Sequence, residues 1–276
     1  MALSPSEMRQ TAERMLADYD AGRANEVFAD RGTDWLSLEE AYHVQRAIAE
    51  LQMQRGEHYL GYKVGCISPT IQKQFGLCEP VHGYLWKVEK LTSGSRLRVG
   101  PSAAEGRRFV NLAIEGEIAV RLACPVESSI LGGDLAKCVE SWFPVIELHN
   151  YVFRGPSATS QELVAGNAMH AGFVVPIPSE KQSVPLPDQA EIRIETDDDI
   201  VETELISEVP GGPLASVGWL VSSLALRKEK LRARDIVLTG SPGRLTRVAG
   251  PSHIVVVCEG QRVELFVKHM AGPREP

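Results

Sequence analysis

The segment Leu112–Leu122 constrains the fold of this chain most, because it is an apolar strand with two carboxylates inside it. In an extended strand, Ile114 and Ile118 point to one face while Glu115 and Glu117 point to the other. Residues two apart on a strand lie about 7 Å apart, so both carboxylates can reach one cation. Buried carboxylates repel each other unless a proton or a metal separates them.

A second apolar segment, 143–150, carries a third carboxylate, Glu147. Three carboxylates on apolar strands are typical of a hard-cation site that takes Mg²⁺ or Mn²⁺ and keeps positions open for a substrate. His149 shares the face of Glu147, and we expect it behind the metal ligands rather than on the metal. The alternative for the Glu115 and Glu117 pair is a solvated strand face, since buried carboxylates are rare.

Composition excludes several classes of protein. The net charge of -7 over 276 residues, with no block of Lys or Arg, argues against a nucleic-acid partner. The five cysteines form no C-x-x-C pair, which indicates reduced thiols in a cytosolic protein. The first residues lack a signal-peptide pattern, and no stretch of about 18 apolar residues is evident. We therefore expect a soluble cytoplasmic protein of bacterial type that has no membrane partner.

The chain divides by pattern into a helical N-terminal unit, residues 1–58, and a strand-rich region, residues 59–276. Two capping boxes, one beginning at Ser4 and one at Ser37, open helices in the first unit. Short strands and turns dominate the second region, which indicates a curled mixed β-sheet or β-roll. The predicted fold class is therefore α+β.

Three further stretches contain candidate site residues. Lys63 interrupts an apolar, glycine-rich strand, and it either snorkels to the surface or faces an anionic substrate. Ser68 is placed to cap a short helix. Gly240 and Ser241 lie in a small-residue turn after a buried strand, where exposed amide groups can hold a carboxylate.

These motifs occur together in the order found in a known family. The chain resembles the fumarylacetoacetate hydrolase superfamily and, within it, the branch of 2-keto-4-pentenoate hydratases and 4-oxalocrotonate decarboxylases. The resemblance covers nearly the whole chain. The motifs are Gly61-Tyr-Lys-Val-Gly65 with Ser68, Glu79-Pro80 with Gly83, Ile114-Glu-Gly-Glu-Ile118, Val145-Ile-Glu147 and Leu238-Thr-Gly-Ser241.

The resemblance implies a mixed β-roll that holds Mg²⁺ or Mn²⁺ on Glu115, Glu117 and Glu147, with Lys63 near the substrate. Ser68, Gly240 and Ser241 are the expected substrate-binding residues. The metal would chelate the carboxylate and 2-oxo oxygen of a 2-oxo acid, and Lys63 would stabilise the developing oxyanion or move a proton. Members of the family form homo-oligomers, so we expect one here.

The chain departs from the hydratase pattern at Val81. Hydratases of this branch tend to have an aspartate there, an acid/base candidate, whereas decarboxylases tend to have an apolar residue. His82 is a candidate replacement base, because imidazole titrates near neutral pH. Neighbouring side chains on an extended strand point in opposite directions, which argues against it.

Four functions remain open on the sequence. The first is a hydratase-like lyase that acts on a 2-oxo-4-enoate from aromatic meta-cleavage catabolism, and the second is a decarboxylase of a 2-oxo-hexenedioate. The third is an acylpyruvate hydrolase, which ranks lower because the N-terminal unit lacks a convincing His–Glu dyad. The fourth is a non-catalytic binder of metal and keto acid.

Overall fold

A computed structural model describes residues 3–28, 35–100, 109–127, 135–153, 158–177 and 189–269 of the 276. The α-helices of this part of the chain are α1 (Pro5–Asp20), α2 (Leu38–Gln54), α3 (Pro69–Gln74), α4 (Ser160–Ala165) and α5 (Pro213–Leu226). Both predicted capping boxes are confirmed, because the side chains of Ser4 and Ser37 accept hydrogen bonds from the amides of Glu7 and Glu40.

The strands form two sheets. The first sheet has the order β2-β1-β10-β5-β6-β7-β3, with β11 paired to β5, and the second has the order β4-β13-β12-β8-β9. The strands are β1 (Tyr59–Gly65), β2 (Val81–Trp86), β3 (Lys90–Thr92), β4 (Ser95–Val99), β5 (Leu112–Leu122), β6 (Val139–Asn150), β7 (His170–Val175), β8 (Glu191–Thr196), β9 (Asp199–Leu205), β10 (Ile236–Leu238), β11 (Thr246–Arg247), β12 (Ser252–Cys258) and β13 (Gln261–His269).

Both sheets mix parallel and antiparallel pairs: β1 is parallel to β10 and antiparallel to β2, and β13 is parallel to β4 and antiparallel to β12. The prediction of an α+β fold with a mixed sheet is therefore confirmed. The long antiparallel pair of β5 and β6 lies at the centre of the first sheet.

The two sheets pack closely at Gly116. A Cβ atom on this residue would lie 3.0 Å from the side chain of Ile194 and 3.3 Å from that of Val256, both in the second sheet. The face of β5 that carries Ile114 and Ile118 therefore forms the core between the sheets, and both residues are buried. The opposite face, with Glu115 and Glu117, is left for the site.

One described segment, Ile206–Leu226, is long and apolar enough to cross a membrane by length and composition alone. It is not a continuous apolar stretch, because Ser207, Glu208 and Gly211 interrupt it. In the structure the segment contains a 3₁₀ turn followed by α5. Val217, Leu220 and Leu224 on this helix are fully buried in the main hydrophobic core, which is the pattern of a core helix.

The approach of β1 to β10 gives a test of the fold. Gly61 has φ +138°, and a Cβ atom there would lie 2.0 Å from the backbone oxygen of Ile236. We expect Gly61→Ala to lower the free energy of unfolding by about 3 kcal/mol, through backbone strain and overpacking, measured by urea denaturation. Gly250→Ala, where a Cβ would meet open space, is the matched control. Equal stability of the two variants would contradict the tight register of β1 on β10.

Candidate active site and metal centre

The pairing of β5 with β6 brings the three predicted glutamates together. Glu115 lies directly opposite Glu147, and Glu117 follows on the same face of β5. Glu117 and Glu147 are almost completely buried, while Glu115 is partly exposed. The strand alternation read from the sequence therefore places three carboxylates on one face, away from the core between the sheets.

Lys63 lies within this cluster. Its side chain is buried, and its Nζ is 3.3 Å from Oε1 of Glu147. Gly65, two residues further along β1, leaves space for the ammonium group, because a Cβ there would lie 3.0 Å from Nζ. Of the two interpretations of Lys63, the structure excludes the snorkelling one.

The turn after β10 orients Glu117. The amide of Gly240 donates a hydrogen bond to Oε2 of Glu117 at 2.9 Å, and Gly240 has φ +93°. The turn is fixed to β5 by Thr239, whose hydroxyl donates to the backbone oxygen of Ile118, and by Ser241, whose hydroxyl donates to that of Gly116. The amide of Gly240 thus holds a carboxylate of the candidate metal centre, and its contact with a substrate stays a prediction.

The buried charges shift one another's pKa values. Burial raises the pKa of Glu117 well above its usual value, and the neighbouring Glu147 raises it further. The pKa of Glu147 is held well below its usual value because Lys63 and His149 outweigh the effect of burial. For Lys63, burial lowers the pKa, but the carboxylates of Glu147, Glu117 and Glu115 more than compensate and raise it. The raised pKa of Glu117 reflects crowded negative charge, which a dication bound among these carboxylates would relieve.

His149 lies among the carboxylates rather than behind them. Its Nε2 is 3.0 Å from Oε2 of Glu115 and 3.3 Å from Oε2 of Glu147. The candidate ligand atoms of these three residues lie within 4.8 Å of one another. Burial lowers the pKa of His149, but Glu147 and Glu115 raise it to about 9.

Sequence reasoning missed His170, at the start of β7. Its Nδ1 lies 2.6 Å from Oε1 of Glu147, and its Nε2 lies 3.5 Å from Oε2 of Glu89. Glu89 also accepts a hydrogen bond from the hydroxyl of Tyr19 on α1. A histidine in an apolar strand was the only available signal, and nothing in the sequence indicated which residue would face it.

A cavity of about 300 Å³ opens over the cluster. Lys63, Glu115, Glu117 and His149 contribute to its floor and walls, and Ser68, Ser241 and Val81 also line it. Ser68 caps α3, because its hydroxyl accepts the amide of Ile71. The structure thus brings together all the predicted site residues except His82, and Gly240 contributes through Glu117.

The chain is similar in sequence to several hydratases and to a decarboxylase. No family model matches the chain. It is 28% identical over 223 residues to a 2-keto-4-pentenoate hydratase of Paraburkholderia phymatum, covering 80% of this chain and 82% of the relative. It is 27% identical over 214 residues to the TodF product hydratase of Pseudomonas putida, covering 77% of each. It is 25% identical over 227 residues to a 4-oxalocrotonate decarboxylase of Pseudomonas putida, covering 82% of this chain and 83% of the relative.

Solved structures show the same fold. A 4-oxalocrotonate decarboxylase from Pseudomonas putida G7, complexed with magnesium and adipate, matches with a TM-score of 0.82 at 23% identity over 98% of this chain and 99% of the other. A fumarylpyruvate hydrolase from Pseudomonas aeruginosa, in complex with Mn²⁺ and pyruvate, matches with a TM-score of 0.58 at 15% identity over 77% of this chain and 90% of the other. The resemblance to the hydratase and decarboxylase branch is confirmed.

The alternation of side chains along β2 decides which of Val81 and His82 reaches the cavity, and Val81 is the one that lines it. Val81 pairs with Gly65, whereas His82 pairs with Val64 on the opposite face of the sheet. His82 is buried, stacks on Tyr42, and places its Nδ1 3.2 Å from the hydroxyl of Ser223. The prediction of His82 as a replacement base is therefore corrected: strand alternation directs its ring away from the cluster.

The buried imidazole of His82 makes folding sensitive to acid. Burial, with a contribution from Arg227, lowers its pKa to about 3. Below pH 6.5 the unfolded chain binds a proton at this position and the folded chain does not, so stability falls as the pH decreases from 6.5 toward 3.

At pH 5 we expect His82 to account for a loss of about 2 kcal/mol relative to pH 7. Urea denaturation at several pH values should therefore show a weaker acid dependence in His82→Gln than in the wild type. His43→Gln controls for the loss of an exposed imidazole on α2. Identical acid dependence of the wild type and His82→Gln would disprove the buried neutral state of His82.

Proposed function

We propose that this chain is a divalent-metal-dependent lyase that acts on a 2-oxo-4-enoate or its 2-hydroxydienoate tautomer, with 2-keto-4-pentenoate hydration as the leading reaction. The observation that carries this proposal is the cluster of Lys63 with Glu115, Glu117 and Glu147, whose first three members line a substrate-sized cavity while Glu147 is buried behind them. Two 2-keto-4-pentenoate hydratases, which match over 75% and 80% of this chain, support the same class of substrate.

The carboxylates fit a hard dication, Mg²⁺ or Mn²⁺. Oxygen ligands suit both ions, and Oε2 of Glu147 is buried without a hydrogen-bond partner among the described residues. Glu115, Glu117 and Glu147 would hold the ion. When bound, it supplies the positive charge that polarises the carbonyl of a 2-oxo acid.

Lys63 supplies the positive charge that the polypeptide itself contributes to the reaction. Its Nζ is held by Glu147 and directed into the cavity, and its raised pKa keeps it charged at neutral pH. A fixed ammonium stabilises the negative charge that develops on the 2-oxo oxygen, because a preorganised charge in a buried site needs no reorganisation. Lys63 can also donate a proton there.

A decarboxylase that acts on a 2-oxo-hexenedioate is the second candidate, and Val81 favours it. This fully buried residue lines the cavity where an acid would stand in a typical hydratase. An apolar wall cannot activate water, but it does not hinder the expulsion of CO₂ from a distal carboxylate. The decarboxylase relative matches over 82% of this chain.

The setting follows from the same evidence. All five cysteines are free, which supports a reducing compartment, and we place the protein in the cytoplasm of a bacterium that degrades aromatic compounds. Its similarity to a TodF product hydratase and a 2-hydroxypent-2,4-dienoate hydratase of Pseudomonas putida supports that role. Its partner is a small 2-oxo acid, and the family resemblance favours a homo-oligomer.

The test of the reaction is a mass-resolved product assay in the presence of Mg²⁺ or Mn²⁺. The protein is offered 2-hydroxypenta-2,4-dienoate and 2-hydroxyhexa-2,4-dienedioate separately. Gain of water on the first substrate is the expected result. Loss of CO₂ from the second would establish the decarboxylase instead, and no turnover of either would overturn the lyase assignment.

Lys63→Met tests the role of the ammonium group. We expect kcat to fall about 100-fold, the usual effect of removing one preorganised oxyanion partner. The metal dissociation constant, measured by titration calorimetry, should change only severalfold. Lys73→Met, on the exposed face of α3, is the control and should retain activity. A loss of metal affinity as large as the loss of turnover would make Lys63 a structural residue.

A further inference from the structure

The ring of His149 is the feature of this site that the proposed function does not use. Its side chain is 3% exposed, and neither ring nitrogen has a hydrogen-bond partner among the described residues. Its Nε2 lies within ion-pair distance of both Glu115, at 3.0 Å, and Glu147, at 3.3 Å. Two carboxylates therefore converge on Nε2, and a cation at that point would bind the nitrogen and both carboxylates together.

The two carboxylate oxygens of Glu147 have different surroundings. Its Oε1 is engaged by Nδ1 of His170 at 2.6 Å and by Nζ of Lys63 at 3.3 Å. Its Oε2 has no hydrogen-bond partner in the described part of the chain, and it is the oxygen that faces Nε2 of His149. Nε2 of His149 and Oε2 of Glu147 therefore face each other at 3.3 Å, beside the carboxylate of Glu115.

We infer that His149 binds the metal through Nε2 and that this nitrogen makes the centre prefer first-row transition dications, with Mn²⁺ as the representative, over Mg²⁺. The inference rests on the proposed metal centre and specifies which ion it selects. The candidate ligand atoms of Glu115, Glu147 and His149 already lie within 4.8 Å of one another, so they can share one ion with little movement.

The selectivity follows from the chemistry of the donors. Carboxylate oxygens suit both Mg²⁺ and Mn²⁺. An imidazole nitrogen suits first-row transition ions, and Mn²⁺, although the hardest of these, accepts it more readily than Mg²⁺, which prefers oxygen ligands and retains its water. A centre built only from Glu115, Glu117 and Glu147 would discriminate weakly. Exchanging one oxygen donor for Nε2 of His149 moves the preference toward Mn²⁺.

His170 and Lys63 support this arrangement from behind. By occupying Oε1 of Glu147 they fix the carboxylate so that Oε2 is presented to the ion, which is how partners of a ligand usually orient it. They differ from His149 because their polar atoms contact Oε1 of Glu147, whereas Nε2 of His149 faces Oε2. His170 therefore provides a matched control: it is an equally buried histidine that contacts the same glutamate.

The test is titration calorimetry on chelator-treated protein with MnCl₂ and, separately, MgCl₂. We expect His149→Gln to weaken Mn²⁺ binding at least about tenfold and to change Mg²⁺ binding less than about threefold. His149→Ala removes the side chain without offering an amide oxygen, and it should weaken Mn²⁺ binding at least as much. His170→Gln should change both affinities by a similar factor and leave their ratio as in the wild type.

A spectroscopic measurement reads the bond directly. Electron spin echo envelope modulation of the Mn²⁺-loaded protein should show coupling to ¹⁴N, and the coupling should change to that of ¹⁵N when histidine is labelled. The modulation should persist in His170→Gln and disappear in His149→Gln. Absence of nitrogen coupling in the wild type, or its persistence in His149→Gln, would overturn the inference.

The outcomes separate this inference from the proposed function. If the wild type binds neither ion, the metal centre itself is wrong and the lyase proposal fails with it. If both ions bind and the affinity ratio is the same in the wild type and in His149→Gln, only the role of His149 fails. Circular dichroism of each variant establishes that it is folded before its affinities are compared.

Discussion

The structure depends on the burial of negative charge between β5 and β6. Glu147 has no exposed surface, and removing a carboxylate from water costs several kcal/mol unless it is paired and hydrogen-bonded. Lys63 and His170 provide that pairing, and Gly240 provides it for Glu117. Strand β1, the turn after β10 and strand β7 are therefore held in place around one cluster as well as by the apolar core.

Features that depend on local side-chain alternation could be predicted from the sequence, whereas features that depend on the register between strands could not. Alternation within Leu112–Leu122 was enough to place Glu115 and Glu117 on one face, because the side-chain period of a strand is two. The position of His170 depends on an irregularity in the pairing of β6 with β7: Leu148 pairs with Gly172 and His149 with His170, so β7 carries Ala171 as an extra residue. A bulge can redirect a side chain toward a site, and nothing in the local sequence marked this one.

The N-terminal helices are connected to the site by a polar path. The hydroxyl of Tyr19 on α1 donates to Glu89, which lies beside His170, and His170 contacts Glu147. The division into residues 1–58 and 59–276 was read from a change of pattern and stays a prediction. A boundary drawn from periodicity cannot show contacts between distant residues, so the sequence did not indicate that α1 reaches the glutamate cluster.

Val81 and His82 are neighbours in the chain, but their side chains lie in different environments. Because neighbouring residues of β2 face opposite sides of the sheet, the apolar side chain borders the cavity and the titratable one is buried against Tyr42 and Ser223. Any proton that the reaction requires must therefore come from groups that line the cavity, among which Lys63 is fixed by Glu147. Expulsion of CO₂ does not require an acid or base from β2, whereas activation of water requires one from somewhere in the site. If the protein is a hydratase, its acid or base must therefore lie on an element other than β2.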